Sequence, residues 1–344
     1  MTNLNDVTIV DVAKAAGVSV STVSRILNGK LDVAKATRER VQGVIRELGY
    51  TPHAQAQRLR AGSTRNIALL FPIEFPGRPA YNALEMDFIV GAAAAAGEQK
   101  FFFNFLTSPV TKHSLLGLYR SAQVDGLVLM NIHTHDWRVE LLREQRYPFV
   151  MIGHCEDNSG LSFIDLDFEA AVSNSFDHLI ELGHREIGFV GLSAGMRESG
   201  FGPAVRAWAG YENTLAKYGL QAYFREAGFA SQEMFDAAAS LIDENPQLTA
   251  FVTTHEFASL SIIQALQLRG KSVPEDCSIV GVMTERIAEL SMPPVTHLDF
   301  PTYSMGYEAI KMLVRALERE ESEPEQVLIS PKLVIRNSTS KPRE

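Results

Sequence analysis

Residues 7–50 read VTIVDVAKAAGVSVSTVSRILNGKLDVAKATRERVQGVIRELGY, and this stretch decides how the front of the chain folds. Thr8 is placed to cap a first short helix that Gly17 stops: a threonine oxygen satisfies an orphan helix N–H, and glycine takes the left-handed exit. Ser19 opens a second run, Val20 to Leu27, closed by Asn28-Gly29. In a third, Val41, Val44, Ile45 and Leu48 fall at i, i+3, i+4 and i+7 and make one apolar face. Gly49 ends that helix and Pro52 lies beyond it. Ala34 stands where the third helix begins, and an alanine cap costs about 1 kcal/mol relative to serine. Two short helices joined by Gly17-Val18-Ser19 form a helix-turn-helix, which lays its second helix in the DNA major groove. Ala13, Val18, Val23 and Ile26 are read as packing between the helices. Val20, Ser21, Ser24, Arg25 and Asn28 fall on another stripe, too polar or too small for core. Arg25 can donate twice to guanine, worth roughly 1–3 kcal/mol against a wrong base. Thr22 and Ser24 suit a phosphate or the turn. Thr8 and Ser19 complete the candidate DNA-contacting set.

Charge separates this head from the rest. The 344 residues carry a net −9, yet residues 1–62 hold nine Lys and Arg against five Asp and Glu, a net of +4, which leaves −13 on the remainder. A basic head on an acidic body is the pattern of one domain that meets a polyanion and another that does something else. The apolar fraction of 46% is ample for buried cores. The two cysteines, Cys155 and Cys277, are far apart with no CxxC, which excludes a disulfide framework and a cysteine zinc site. No signal-like stretch or membrane-spanning run is found, so a cytoplasmic protein with no membrane partner is expected.

From Arg65 onward, short apolar strands alternate with helices. Strands are predicted at 66–71, 101–106, 126–130, 149–152, 187–190, 250–253 and 278–282. Helical stretches include 86–98, 137–144, 170–182, 207–218, 258–268 and 305–318. Short, wholly apolar strands between helices imply parallel sheets covered on both faces, and at least seven of them suit two sheets better than one. Between head and body, residues 53–61 (HAQAQRLRA) hold only Leu59 as a large apolar residue. A nine-residue helix there is unstable alone in water, so this is a linker or a helix that forms conditionally.

The string VTIVDVAKAAGVSVSTVSRILNG, followed by TRERVQGVIRELGYTPHAQAQRL, resembles the lactose-repressor (LacI/GalR) family of bacterial transcription regulators. The likeness continues through HLIELGHREIGFVG, VPEDCSIVGV and PPVTHLDFPTYSMGYEAIKML, nearly the whole chain. The resemblance implies an N-terminal all-α helix-turn-helix domain (1–51), a hinge (52–62) and a two-lobed α/β, periplasmic-binding-protein-like domain (63–344) with two parallel doubly wound sheets. It places lobe one at about 63–163 plus 297–323 and lobe two at about 164–296 plus 324–344. It further implies a homodimer on a palindromic operator, with a small-molecule effector in the cleft. Val20 and Ser21 occupy the family's main specificity positions, and Arg25 its major-groove arginine. Leu59 matches the leucine wedged into the minor groove, and Ala56 sits where the hinge helix packs on its twin. An apolar wedge can unstack a base step at a cost of a few kcal/mol and kink the duplex. The linker is then a bistable element through which a cleft could control DNA affinity.

Open α/β sheets bind ligands outside the carboxyl ends of their strands. The candidate effector residues are therefore Phe75, Arg78, Tyr81, Asn131, His154, Arg197, Arg206, Phe229, His255, Glu256 and Thr284. Several polar clamps of sugar-binding family members are replaced. Ala207 stands at the family's arginine, with Arg206 one residue off. His255-Glu256 replaces an Asn-Asp pair, Met283-Thr284 replaces paired acids, and Gly153 replaces another acid. Either the effector is less hydroxylated or more aromatic than a hexose, or Arg206, His255 and Glu256 rebuild the clamp. The family alone favours a carbohydrate-like effector.

Other motifs carry less. Gly270-Lys271-Ser272 lacks the first glycine and the preceding strand of a phosphate loop. The glycines at 191, 195, 200 and 202 read as a mobile loop. His133-Thr134-His135-Asp136 reads as a solvated helix start with no complete metal-ligand spacing. Asp165 and Asp167 read as capping or domain-crossing acids. No catalytic constellation, cofactor motif or metal site is found, so an enzyme with an appended regulator domain is disfavoured. The competing reading is a cytoplasmic small-molecule sensor whose helical head binds a protein partner. The polar stripe and the basic charge favour DNA. The tail after Ile335 has no leucine heptad that would join two dimers, so the expected oligomer is a dimer.

Overall fold

The computed structural model describes residues 7–27, 33–50, 63–72, 83–318 and 323–343, with the backbone alone at Ala83 and Glu256. The chain divides into two compact units, Met1–Thr64 and Arg65–Glu344.

The first unit contains helices α1 (Ile9–Ala16), α2 (Val20–Leu27) and α3 (Lys35–Leu48). Thr8 caps α1 reciprocally: its hydroxyl oxygen accepts from the Asp11 N–H, and its own N–H donates to the Asp11 carboxylate at 2.9 Å. Gly17 and Gly49 end α1 and α3 at φ 62°, where a Cβ would be strained. The Ser19 Oγ accepts from the Thr22 N–H at 3.2 Å at the start of α2. Val12, Ala13, Ala16, Val23, Ile26, Val41 and Tyr50 form the core, with Val18, Val20, Val44 and Ile45 packed against it. Leu48 leaves the predicted apolar face and is 38% exposed; the buried Tyr50, just past the helix end, is in that core instead. Ala34 makes no side-chain cap.

The second unit holds twelve strands among the described residues: β1 (Asn66–Leu70), β2 (Phe102–Leu106), β3 (Gly126–Leu129), β4 (Phe149–Ile152), β5 (Phe163–Leu166), β6 (Ile187–Leu192), β7 (Phe224–Ala227), β8 (Ala250–Thr253), β9 (Ser278–Met283), β10 (Thr296–Asp299), β11 (Gln326–Ile329) and β12 (Leu333–Val334). The helices between them are α4 (Ala83–Glu98), α5 (Lys112–Arg120), α6 (Trp137–Glu144), α7 (Phe168–Glu181), α8 (Ala194–Glu198), α9 (Gly202–Tyr218), α10 (Ser231–Glu244), α11 (Glu256–Gln267), α12 (Glu285–Leu290) and α13 (Thr302–Glu318). They build two six-stranded sheets, ordered β11-β5-β4-β3-β1-β2 and β12-β10-β9-β8-β6-β7. Every pairing is parallel except β10 with β12. An apolar core lies on each face of each sheet, which is why the central strands are apolar on both sides.

The chain passes between lobes three times, later than expected on each occasion. It leaves sheet one after β5, returns after β10, and leaves again between β11 and β12. Phe163–Leu166 and Thr296–Asp299 are the strands that precede the first two crossings, and the positions implied by the family resemblance fall at their starts. In lobe one, α4 and α13 approach so closely that a Cβ on Gly306 would lie 2.2 Å from the Phe88 carbonyl oxygen, and one on Gly91 2.1 Å from that of Tyr303. Ser338 ties the segment after β12 to sheet two: its buried hydroxyl donates to the Ile279 carbonyl at 2.6 Å and accepts from the Thr296 N–H at 2.8 Å.

Candidate DNA-reading helix and ligand cleft

On the first unit, Ser21 and Arg25 are exposed on α2, Val20, Thr22 and Ser24 are half-buried, and Val23 and Ile26 face inward. The polar stripe is thus presented outward while the alternate residues hold the helix down. The Ser19 hydroxyl is within hydrogen-bond distance of Ser21 Oγ (2.8 Å) and Thr22 Oγ1 (2.9 Å), which draws those hydroxyls toward the turn. Thr8 is exposed but spends its hydroxyl on Asp11 at 2.6 Å. Asn28, Ala56 and Leu59 lie outside the described residues.

In the second unit, a cleft open to solvent lies between the lobes at the carboxyl ends of the strands. Of the expected effector residues, Asn131, Phe229 and His255 line it. Asn131 sits just after β3 at φ 54°, a left-handed conformation that is uncommon for a side-chain-bearing residue. Its amide donates to the Pro72 carbonyl at 3.1 Å. Beneath it Arg138, 2% exposed, donates through Nη2 to the carbonyls of Asn131 (2.8 Å) and Met130 (3.1 Å) and to the Asp136 carboxylate (2.6 Å). Burial works to raise the Asp136 carboxyl, but the Arg138 hydrogen bonds and charge outweigh it and hold the group below the usual range. Asp136 does start a helix, as predicted, yet it is buried and ion-paired rather than solvated. No group of three or more potential metal ligands is found among the described residues.

Four expected residues do not line this cleft. His154 and Arg206 face a neighbouring open space with Asp167, Glu169 and Ser173. The Arg197 guanidinium stacks over Trp208 at 4.1 Å and pairs with Glu226 at 3.1 Å, tying it to its own lobe. Thr284 directly precedes α12, buried at 5%, because the chain turns into that helix as soon as β9 ends. Phe75, Arg78 and Tyr81 lie outside the described residues, as does the Glu256 side chain.

The cleft also takes residues that sequence reasoning did not select. Phe71, Phe88, Phe168, Phe201 and Phe300 line it, with Glu85, Asp165 and Thr254. Asp165 had been read as a capping or crossing acid. It is the penultimate residue of β5, 3% exposed, accepts from the Leu166 N–H at 2.9 Å and lies 2.8 Å from His154 Nδ1. Asp167 does cap α7, accepting from the Ala170 N–H. The 200–202 segment is not a free loop: the Gly202 N–H donates to the Ile132 carbonyl at 3.0 Å, and the Thr134 N–H to that of Gly200 at 2.7 Å. A strand's carboxyl end was the available sequence signal for Phe71 and Thr254; Asp165 and Phe300 belong to strand ends that the sequence does not mark. Phe88 and Phe168 have none, since each is one more apolar helix residue.

A DNA-reading helix in one unit and a two-lobed α/β fold with an interlobe cleft in the other define a ligand-responsive regulator. The family of bacterial regulatory proteins called lacI matches residues 8–53, and a periplasmic binding protein-like domain matches residues 176–339. The HTH-type transcriptional regulator CelR of Thermobifida fusca is 32% identical over 343 residues, covering 95% of this chain and 96% of that protein. Catabolite control protein A of Priestia megaterium is 29% identical over 341 residues, covering 97% and 99%. Among solved structures, a CelR–cellobiose complex aligns with a TM-score of 0.68 at 28% identity, covering 96% of this chain and 99% of that one. A lac repressor dimer bound to operator and the anti-inducer ONPF shares the fold, with a TM-score of 0.82 at 22% identity and coverage of 98% and 100%. The chain belongs to the lacI family of bacterial regulatory proteins. It is a DNA-binding transcription regulator and not an enzyme. Among the described residues no helix is long and apolar enough to cross a membrane.

Proposed function

We propose that this chain is a cytoplasmic homodimeric repressor that binds a palindromic operator and is switched by a small molecule held between the lobes of its body. The observation that carries the reading is the outward stripe of α2, with Ser21 and Arg25 exposed and Val23 and Ile26 buried. Val20, Ser21 and Arg25 read bases; Thr8, Ser19, Thr22, Ser24 and Asn28 hold the backbone; Ala56 and Leu59 act in the hinge. A second copy is supported by the exposed apolar residues Met86, Val90, Phe102 and Tyr303 on neighbouring elements of lobe one. The effector is a small organic molecule contacting Asn131, Phe229 and His255. The relative solved with cellobiose makes carbohydrates the first class to screen.

The test is a gel shift on a randomised palindrome library with the full chain. Selection of a two-fold symmetric site is expected, with affinity falling steeply as salt rises because phosphate contacts release counterions. In Arg25→Ala, specificity at one base pair per half-site relaxes by roughly 1–3 kcal/mol. No preference for any duplex, with or without small molecules, would remove the reading.

A further inference from the structure

A buried ion pair stands behind the cleft wall at Asn131, and it also reaches the contact between the lobes. We propose that Arg138 and Asp136 are positioning residues that join the conformation of Asn131 to the backbone bridge between lobe one and lobe two, so that a change at the cleft wall is passed to that bridge. Its use by a ligand rests on the reading of this cleft as the effector site; the mechanical link does not. Arg138 and Asp136 are 2% and 3% exposed. The pairing is bidentate: Arg138 Nε donates to Asp136 Oδ1 at 2.9 Å and Nη2 to Oδ2 at 2.6 Å. The same Nη2 donates to the carbonyls of Met130 (3.1 Å) and Asn131 (2.8 Å). Two successive carbonyls thus converge on one nitrogen at the point where Asn131 turns left-handed. Asp136 in turn accepts from the Arg138 N–H at 2.9 Å, which caps α6, and from the His133 N–H at 3.3 Å. The segment 130–136 is thereby fixed to one helix, whose Val139 and Leu142 are buried in lobe one.

The middle of that segment meets lobe two. His133 pairs with Phe201 as an antiparallel bridge, in which the Gly202 N–H donates to the Ile132 carbonyl at 3.0 Å and the Thr134 N–H to the Gly200 carbonyl at 2.7 Å. The fit is close. A Cβ on Gly202 would lie 3.0 Å from the Ile132 carbonyl oxygen, and one on Gly200, itself at φ 81°, 2.7 Å from the Thr134 hydroxyl oxygen. A segment held at Asn131 on one side and at His133 on the other cannot change shape at one without moving the other. Stability alone does not account for the pair. Taking two charges out of water offsets much of what their attraction returns, and apolar residues of similar volume are often as stable. Arg138 Nη1 is moreover buried without a partner, a further penalty. What the pair supplies is geometry: a planar guanidinium holds a carboxylate and two carbonyls in one fixed arrangement, which an ammonium on a flexible stem does not.

The test uses the full chain without ligand and reads hydrogen exchange in the peptides that contain Thr134 and Gly202. Arg138→Lys keeps a charge beside Asp136 and removes the fork. Loss of a charge-assisted hydrogen bond changes a local opening equilibrium by roughly 10–100-fold. Exchange at both amides is expected to speed by about that factor, with β4 and β8 unchanged. Arg143→Lys, on the same helix but paired with Asp157, is the control and should leave both amides as they are. Asn131→Gly removes the amide bond to Pro72 and eases the left-handed backbone, and it should also speed exchange at Gly202. Combined with Arg138→Lys it should add less than about twofold, because both act through the same segment. Should Arg138→Lys not fold, Asp136→Asn keeps the cap acceptor, removes the charge that orients the fork and should give the same pattern. Unchanged Thr134 and Gly202 amides, no effect of Asn131→Gly at Gly202, or two effects that multiply in the double variant each overturn the proposal. No ligand enters the measurement, so such a result removes the coupling and leaves the effector reading standing.

Discussion

The Arg206 guanidinium, on α9 of lobe two, donates through Nη2 to the His154 carbonyl oxygen of lobe one at 2.7 Å. Its contact with the Cys155 carbonyl, at 3.4 Å, is longer. Burial lowers the guanidinium pKa below its ordinary value, and the Asp165 charge opposes that shift. With the backbone bonds of Gly202 to Ile132 and of Thr134 to Gly200, this contact closes one side of the cleft.

A hydrogen bond from a charged group to a buried carbonyl is worth about 1.5–3 kcal/mol. Arg206→Ala should therefore shift the lobes toward an open arrangement by roughly 10–100-fold in equilibrium constant. The readout is a larger radius of gyration in small-angle scattering with secondary structure unchanged. An unchanged radius would show that the backbone pairs alone hold the lobes together.

The close approach of α4 and α13 makes a paired glycine experiment possible. A Cβ at Gly306 meets the Phe88 backbone at 2.2 Å, and the Phe88 ring lines the cleft. Gly306→Ala should cost about 1–3 kcal/mol by forcing the helices apart and should weaken ligand binding as Phe88 moves. Gly117 on α5 has nothing within 4 Å of such a Cβ. Gly117→Ala should therefore stabilise by about 1 kcal/mol, the helix-propensity gain, with ligand binding unchanged. Denaturant melts and titrations of both variants check the contrast.

How far sequence carried the reading depended on whether a residue's role was local. Thr8, Gly17 and Gly49 are capping residues, and caps are written within three or four positions, so the head was legible. Central strands such as Phe149–Ile152 and Ala250–Thr253 were legible because both faces are buried. Phe163–Leu166 and Thr296–Asp299 were not, since each carries a carboxylate beside the crossing. The edge strand Phe224–Ala227 is half-exposed and reads as polar. Asn131, Phe229 and His255 followed from the strand-end rule. Phe88, Phe168 and Phe300 converge only after two lobes have folded and the chain has crossed between them, and no local pattern encodes that.

The cap that sequence marked as weak gives a test within the head. Ala34 precedes α3 with φ −53° and ψ 138° and makes no side-chain hydrogen bond. Ala34→Ser should supply an oxygen for an orphan N–H of the first turn and stabilise α3 by about 1 kcal/mol. Hydrogen exchange in the full chain is the measurement: amides from Arg38 to Ile45 should slow by roughly fivefold, while those of β8 and β9 stay unchanged. Equal slowing in both units would mean the effect is not local to the helix.

Buried histidines set a pH dependence for the body. His184 is 1% exposed and lies between Thr249 Oγ1 (2.9 Å), Ser278 Oγ (3.1 Å) and the Ser340 carbonyl (2.9 Å). His297 is wholly buried, with Nδ1 3.1 Å from the Val295 carbonyl and Nε2 without a partner. Burial lowers both pKa values below the ordinary 6.5, as it does for His178. The folded state therefore binds fewer protons than the unfolded chain once the pH falls below about 6.5, and stability is lost with each step down until the folded-state values are passed. Above that pH both states are neutral at these groups and they contribute no slope. The melting temperature of the full chain should fall as pH drops from 7 to 5, and the fall should be shallower in His297→Leu. A parallel fall in that variant would assign the pH dependence to other groups. Because His184 and Ser278 both meet the Ser340 carbonyl, the C-terminal residues 338–342 should lose exchange protection first as the pH is lowered.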